Sequence, residues 1–272
     1  MVRPALTPDL HRYGPRRDQV ADAWVPRGRG PGPYPVVVVV HGGLWLDAFG
    51  RDLMDAACAD LAGRGWLAWN LEYRRVGSFR LGARWAGGGW PGTFADVAAG
   101  IDHIIQCPDT ADPGRVAALG HSAGGQLAMW AAARPGLPDG APGAHPAVVL
   151  RRVVSLAGVL DLTAAVEDPR LVVGGVAGLL GGRPDQVPDR YRLASPVERL
   201  PLGIPQMVVH GEDDRTVPPD HSREHARRAR EAGDVVDLAI VPRTGHMELI
   251  DPRSQAWATV VDWLATPTPT PA

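Results

Sequence analysis

Short apolar runs alternate along the chain with segments whose apolar residues recur every three or four positions. The five consecutive valines at 36–40 read as a buried central strand. The runs 66–71, 116–119, 153–156, 206–209 and 235–241 read as further strands. Between them, Leu53, Met54, Ala57, Cys58 and Leu61 recur at helical spacing. So do Val97, Ile101, Ile104 and Ile105 within 96–106, and Trp257, Val260, Val261 and Leu264 within 254–264. The segment 124–134 reads as a helix of mostly small residues. Strand and helix in such alternation predict an α/β fold, a mostly parallel central sheet with helices on both faces.

Two stretches break the alternation. The segment 135–148 is rich in Pro and Gly and reads as a surface loop. The segment 163–204, with its apolar, Gly-rich part at 171–182, reads as a small cap insertion over the sheet's carboxyl edge. That edge is where open α/β sheets place their ligands. The expectation is a single domain over 1–265, followed by a disordered Thr/Pro tail at 266–272.

Composition narrows the function. The net charge is −2, with both signs spread along the chain, which gives no electrostatic case for nucleic acid or an anionic membrane. All 28 basic residues are arginine, so neither a Schiff-base lysine nor a Walker-type phosphate lysine is available. Cys58 and Cys107 are too few for a disulfide framework or a cysteine-based zinc site, and no metal or cofactor is expected. Residues 1–13 hold no apolar signal core, and no apolar run nears the ~20 residues that span a bilayer. The expectation is a cytoplasmic protein that acts on a small molecule.

The chemistry concentrates at strand ends. Gly120-His121-Ser122-Ala123-Gly124 lies directly after one strand and before a helix. A nucleophile at such a bend needs very small neighbours, so that its side chain stands clear of the backbone. A serine hydroxyl is a weak nucleophile until a base takes its proton. Of the nine histidines, His246 lies in the loop after the last strand, on the edge that carries Ser122. His221 and His225, on an Arg-rich helix, read as solvated, and His210 as structural. The imidazole needs a carboxylate to fix its tautomer. Asp214, after the penultimate strand, is the choice, with Asp213 second and Asp161 third. His41-Gly42-Gly43-Leu44-Trp45 follows the valine strand. Amides of Gly42, Gly43 and Leu44, with that of Ala123, are expected to form an oxyanion hole.

Together these motifs resemble the α/β-hydrolase superfamily, and within it the branch of kynurenine formamidase and related small serine esterases. Glu72-Tyr73-Arg74-Arg75, 89–93, Asp96, 19–22 and 245–249 share in the likeness, which runs from about Tyr13 to Leu264. The resemblance implies a cofactor-free serine hydrolase that cleaves a small carboxylic ester through an acyl-enzyme, with His41 as scaffold of the oxyanion loop. The alternatives are an aryl formamidase acting on an N-formylkynurenine-like amide, and an acyl-transfer or cyclising enzyme or a non-catalytic binding protein on the same fold. The segment 78–86 is longer than the usual connection there and reads either as a lining or cover of the pocket, which would bear on the substrate, or as a plain surface insertion. Trp45, Phe79, Trp85 and Trp90 are candidates to line the pocket or, equally, to belong to the core, and Arg74 or Arg75 is a candidate either to meet a substrate carboxylate or to anchor a loop.

Overall fold

A computed structural model describes residues 7–28, 30–77, 87–171 and 175–267. Its centre is an eight-stranded sheet: β1 (Asp9–Arg12), β2 (Val20–Trp24), β3 (Tyr34–Val40), β4 (Leu67–Leu71), β5 (Ala111–His121), β6 (Arg152–Leu156), β7 (Gln206–Gly211) and β8 (Val236–Val241). The spatial order is β1-β2-β4-β3-β5-β6-β7-β8. The first two strands pair antiparallel, and β4 through β8 run parallel with β3. This is the expected α/β-hydrolase sheet. All six expected strands are present, and the sequence reading missed only β1 and β2.

The valine strand lies between β4 and β5, and Val36 to Val40 are fully buried. Alternate valines serve opposite faces: Val36, Val38 and Val40 join one apolar cluster, Val37 and Val39 the other. On the first face pack α2 (Gly92–Asp102) and α3 (Ala123–Ala132), and on the second α1 (Asp55–Arg64) and α8 (Gln255–Ala265). Between β6 and β7 the chain forms three short helices, α4 (Leu162–Glu167), α5 (Gly175–Leu180) and α6 (Pro188–Ala194). The second of these packs on the segment before α2, where Trp90 N–H donates to Leu179 O at 2.7 Å.

One helix corrects the sequence reading. In α7 (Asp220–Glu231), Ser222, His225, Ala226 and Ala229 face inward and are buried. His225 is not solvated: it is 1% exposed, and its Nε2 lies 2.9 Å from Gln206 Oε1. Burial drives its pKa down to about 4, so the ring is neutral. His221 is also engaged, with Nε2 3.1 Å from Asp168 Oδ2. The loop 135–148 is likewise only partly at the surface, since Leu137 and Val148 are buried.

Candidate active site

Four loops at the carboxyl ends of the strands meet here, and the local sequence explains each one. Ser122 turns the chain from β5 into α3 at φ 55° and ψ −119°, a conformation that a non-glycine residue adopts only under constraint. The constraint is the close passage of strand and helix backbones. A β-carbon at Gly120 would lie 2.0 Å from Gly124 O, and one at Gly124 would lie 2.1 Å from Val40 O. Neither position accepts a side chain. The serine N–H is tied to Leu156 O at 2.8 Å, while Gly125 and Gln126 N–H close the first helical turn on Ser122 O.

His246 and Asp214 come from two loops that are stitched together. Asp213 N–H donates to Thr244 O at 3.0 Å and Glu212 N–H to Val241 O at 2.9 Å. A β-carbon at Gly211 would stand 2.2 Å from Thr244 O, so only glycine permits the approach. His246 Nδ1 then donates to Asp214 Oδ2 at 2.6 Å. The other carboxylate oxygen accepts the Thr216 and Val217 amides at 2.8 and 3.0 Å. Burial would raise the Asp214 pKa, but the hydrogen bonds from His210, His246 and Val217 outweigh it and hold the carboxyl well below the usual range. The competing acids stand elsewhere. Asp213 is exposed, and Asp161 caps α4 through Ala164 N–H and pairs with Arg228 at 3.2 Å.

Two histidines that the sequence reading gave no site role support this pair. His210 Nε2 lies 2.9 Å from Val217 O and 3.2 Å from Asp214 Oδ2, and its Nδ1 is 2.6 Å from Ser222 Oγ. A carbonyl only accepts, so Nε2 carries the proton and Asp214 shares it. His121 is buried and driven to about pKa 3, chiefly by burial and then by the neighbouring His246. Its Nε2–H donates to His246 O at 3.0 Å, and the two rings lie 4.5 Å apart. The residue before Ser122 thereby holds the loop of His246. A His-x3-Asp spacing after a strand was the available signal for His210.

The Gly-Gly loop is built by its own histidine. His41 is fully buried, stacked on Tyr73 at 4.4 Å, with Nε2 2.9 Å from Glu72 Oε1, and its carbonyl accepts from Tyr73 Oη at 2.8 Å. A β-carbon at Gly42 would stand 3.1 Å from Ser122 Cβ, so this backbone passes directly beside the serine. Gly43, Leu44 and Trp45 all have positive φ, and Leu46 N–H turns back to Gly43 O. The Gly43 and Leu44 amides donate to no backbone acceptor among the described residues. The Ala123 amide opens α3, where helix amides have no intrahelical partner.

The expected pocket residues fare differently. Trp45 is a core residue, 1% exposed, whose indole N–H donates to Gln126 Oε1 at 3.1 Å. Trp90 is half-buried against Phe94, 5.1 Å between rings. Phe79, Trp85 and the rest of 78–86 lie outside the described residues, as does the tail from 268. Arg74 is occupied: its Nε and Nη2 grip the two oxygens of Asp96, each at 2.6 Å. Asp96 is fully buried and has one further side-chain partner, Gln19 Nε2 at 2.7 Å. Arg74→Ala is therefore expected to lower stability by about 3 kcal/mol, the cost of a buried carboxylate left without its cation. It should leave the preference for carboxylated over neutral substrates unchanged. Thermal unfolding and paired substrates check this, and a lost preference at unchanged stability would return Arg74 to the pocket. A cavity of about 920 Å³ lined by Arg115, Arg151, Arg152 and Leu264 shares no residue with this site.

Residues 22–228 match the BD-FAE family. The chain is similar to the esterase LipC of Mycobacterium tuberculosis, 27% identical over 260 residues that cover 88% of this chain and 59% of LipC. It is also similar to the esterase LipQ of the same organism, 27% identical over 250 residues, 89% of this chain and 57% of LipQ. The chain thus spans less than two thirds of the length of either. Among solved structures, a truncated carbohydrate esterase from gut microbiota superposes with TM-score 0.79 at 19% identity, covering 96% of this chain and 97% of that one. Esterase Est2 of Thermogutta terrifontis does so with TM-score 0.73 at 22% identity, covering 96% and 91%. At these identities the two structures show the shared fold. No described helix is long and apolar enough to cross a membrane.

Proposed function

The chain belongs to the BD-FAE family, and on that premise we propose that it is a serine hydrolase that cleaves small carboxylic esters through an acyl-enzyme. The observation that carries this reading is the 2.6 Å bond from His246 Nδ1 to a carboxylate held ionised, on a loop that His121, the residue before the strained Ser122, holds by a 3.0 Å bond to His246 O. With Nδ1–H committed to Asp214, Nε2 is the lone-pair nitrogen and accepts the Ser122 proton as Oγ attacks the ester carbonyl. The carbonyl oxygen becomes an oxyanion, stabilised by amides from Gly42, Gly43, Leu44 and Ala123. The tetrahedral adduct collapses, the alkoxide leaves with the proton from His246, and the acyl group stays on Ser122. Water, deprotonated by the same Nε2, then releases the acid and restores the serine.

Ester is preferred over N-formylkynurenine-like amide for a specific reason. Of the two arginines expected to meet a substrate carboxylate, Arg74 is spent on Asp96, and Arg75 is paired with Glu72 at 3.3 Å and Asp18 at 3.4 Å. The resemblance to LipC and LipQ, both named esterases, points the same way. A fluorophosphonate probe followed by peptide mass spectrometry should label Ser122 alone, and nitrophenyl acetate should turn over faster than N-formylkynurenine. Labelling with the opposite substrate ranking would establish the formamidase. No labelling of the folded chain would overturn the serine mechanism.

A further inference from the structure

Away from the site just described, three soft or borderline metal donors converge from segments distant in sequence. His11 lies on β1, His103 follows the end of α2, and Cys107 begins the approach to β5. One ring nitrogen from each histidine and the Cys107 sulfur lie within 4.8 Å of one another, and all three residues are partly exposed. We propose that His11, His103 and Cys107 form a zinc site, two imidazoles and one thiolate with the fourth position open to water, that fastens the edge strand β1 to the end of α2.

The geometry favours an ion over a chance gathering. Zinc bonds of ~2.1 Å to nitrogen and ~2.3 Å to sulfur at tetrahedral angles place donors about 3.4–3.6 Å apart. Cys107 Sγ stands 3.6 Å from His11 Nδ1, so that pair already has the spacing. No pair is wider than 4.8 Å, so the widest closes by at most about 1.4 Å to reach it, within reach of a side-chain rotation. His103 opens a short 3-10 turn, His103–Gln106, and Cys107 is the residue that ends it, so one compact segment supplies both donors. Trp69 backs the cluster, its ring 4.9 Å from that of His11 and 6.2 Å from that of His103, which shields one side from water. The expectation against a cysteine-based zinc site comes from cysteines that are few and isolated in the sequence, and a third ligand 92 residues from His103 leaves no local spacing.

A tie here has a mechanical use. β1 is four residues long at the sheet edge and largely exposed, with His11 its one half-buried residue. Zinc would replace the thiol proton, which leaves to solvent, and join β1 to the core. The place is remote from the candidate active site. From Val116 to Ser122, β5 alone spans roughly 20 Å, and Cys107 lies before its start.

Cobalt(II), then zinc, titrated into the full chain tests the proposal. One equivalent of cobalt should give a thiolate-to-metal charge-transfer band that zinc abolishes. The assignment is direct, because Cys58, the one other cysteine, is completely buried. Cys107→Ser should lose the band, and His11→Ala or His103→Ala should weaken zinc binding at least about 100-fold, since even outer-sphere partners are worth 10–100-fold. Should a histidine variant fail to fold, the unaltered chain still decides: zinc should block iodoacetamide alkylation of Cys107. No charge-transfer band, equal zinc binding by Cys107→Ser, or alkylation indifferent to zinc would each overturn the site and leave a thiol–imidazole contact only.

Discussion

Ser122→Ala should lower ester turnover by roughly a million-fold while leaving the melting temperature almost unchanged. Both halves follow from the local structure. The β-carbon is retained, so the strained backbone at φ 55° is no worse for alanine than for serine. The serine's position is fixed through its main chain, by N–H to Leu156 O and by its carbonyl to the first turn of α3. Among the described residues its hydroxyl has no stabilising hydrogen bond, so deleting it costs stability little. Chemistry is another matter. Without Oγ there is no acyl-enzyme, and the remaining rate is what aligned amides can give to direct attack by water. Turnover of nitrophenyl acetate and a parallel unfolding curve check the pair of statements. A rate within tenfold of the unaltered chain, at equal purity, would remove Ser122 from the mechanism.

Much of this was legible because glycines and strand ends carry strong local signals. The bend at Ser122 demands Gly120 and Gly124, and a sequence shows glycines directly. What stayed hidden depends on distance or on small residues. β1 is mostly polar and exposed, and β2 has two alanines and an aspartate among its five residues, so neither shows the apolar run of a buried strand. In α7 the buried stripe is Ser222, His225, Ala226 and Ala229, too small and polar to stand out among arginines. For Trp45 the sequence leaves pocket and core equally open, and only the fold shows positive φ at Leu44 and Trp45 with the indole bonded to Gln126. Arg74 illustrates the same limit: its partner Asp96 is 22 residues away, and only the fold shows the cation already spent.

Asp214→Asn should cost about ten-thousand-fold in kcat, for a reason the hydrogen bonds make specific. In the chain as it stands, Oδ1 accepts two backbone amides and Oδ2 faces two ring N–H groups, from His246 at 2.6 Å and His210 at 3.2 Å. An asparagine keeps its one oxygen for the backbone amides. Its NH2 must then occupy the place of Oδ2 and meets two donors with a donor. His210 cannot yield, because its Nε2–H is also committed to Val217 O at 2.9 Å. His246 yields instead, moving its proton to Nε2, where it can no longer accept the Ser122 hydroxyl proton. The variant should therefore bind substrate with little change in KM and fail in the chemical step. Stability gives an independent readout. The Asp214 carboxyl is held well below its ordinary value, so its contribution is present above the unfolded carboxylate pKa of about 3.9 and fades as pH falls below it. The melting-temperature gap between the two proteins should be widest near neutrality and narrow in acid. An equal gap at all pH values, with kcat down less than tenfold, would mean that His246 takes its orientation from elsewhere.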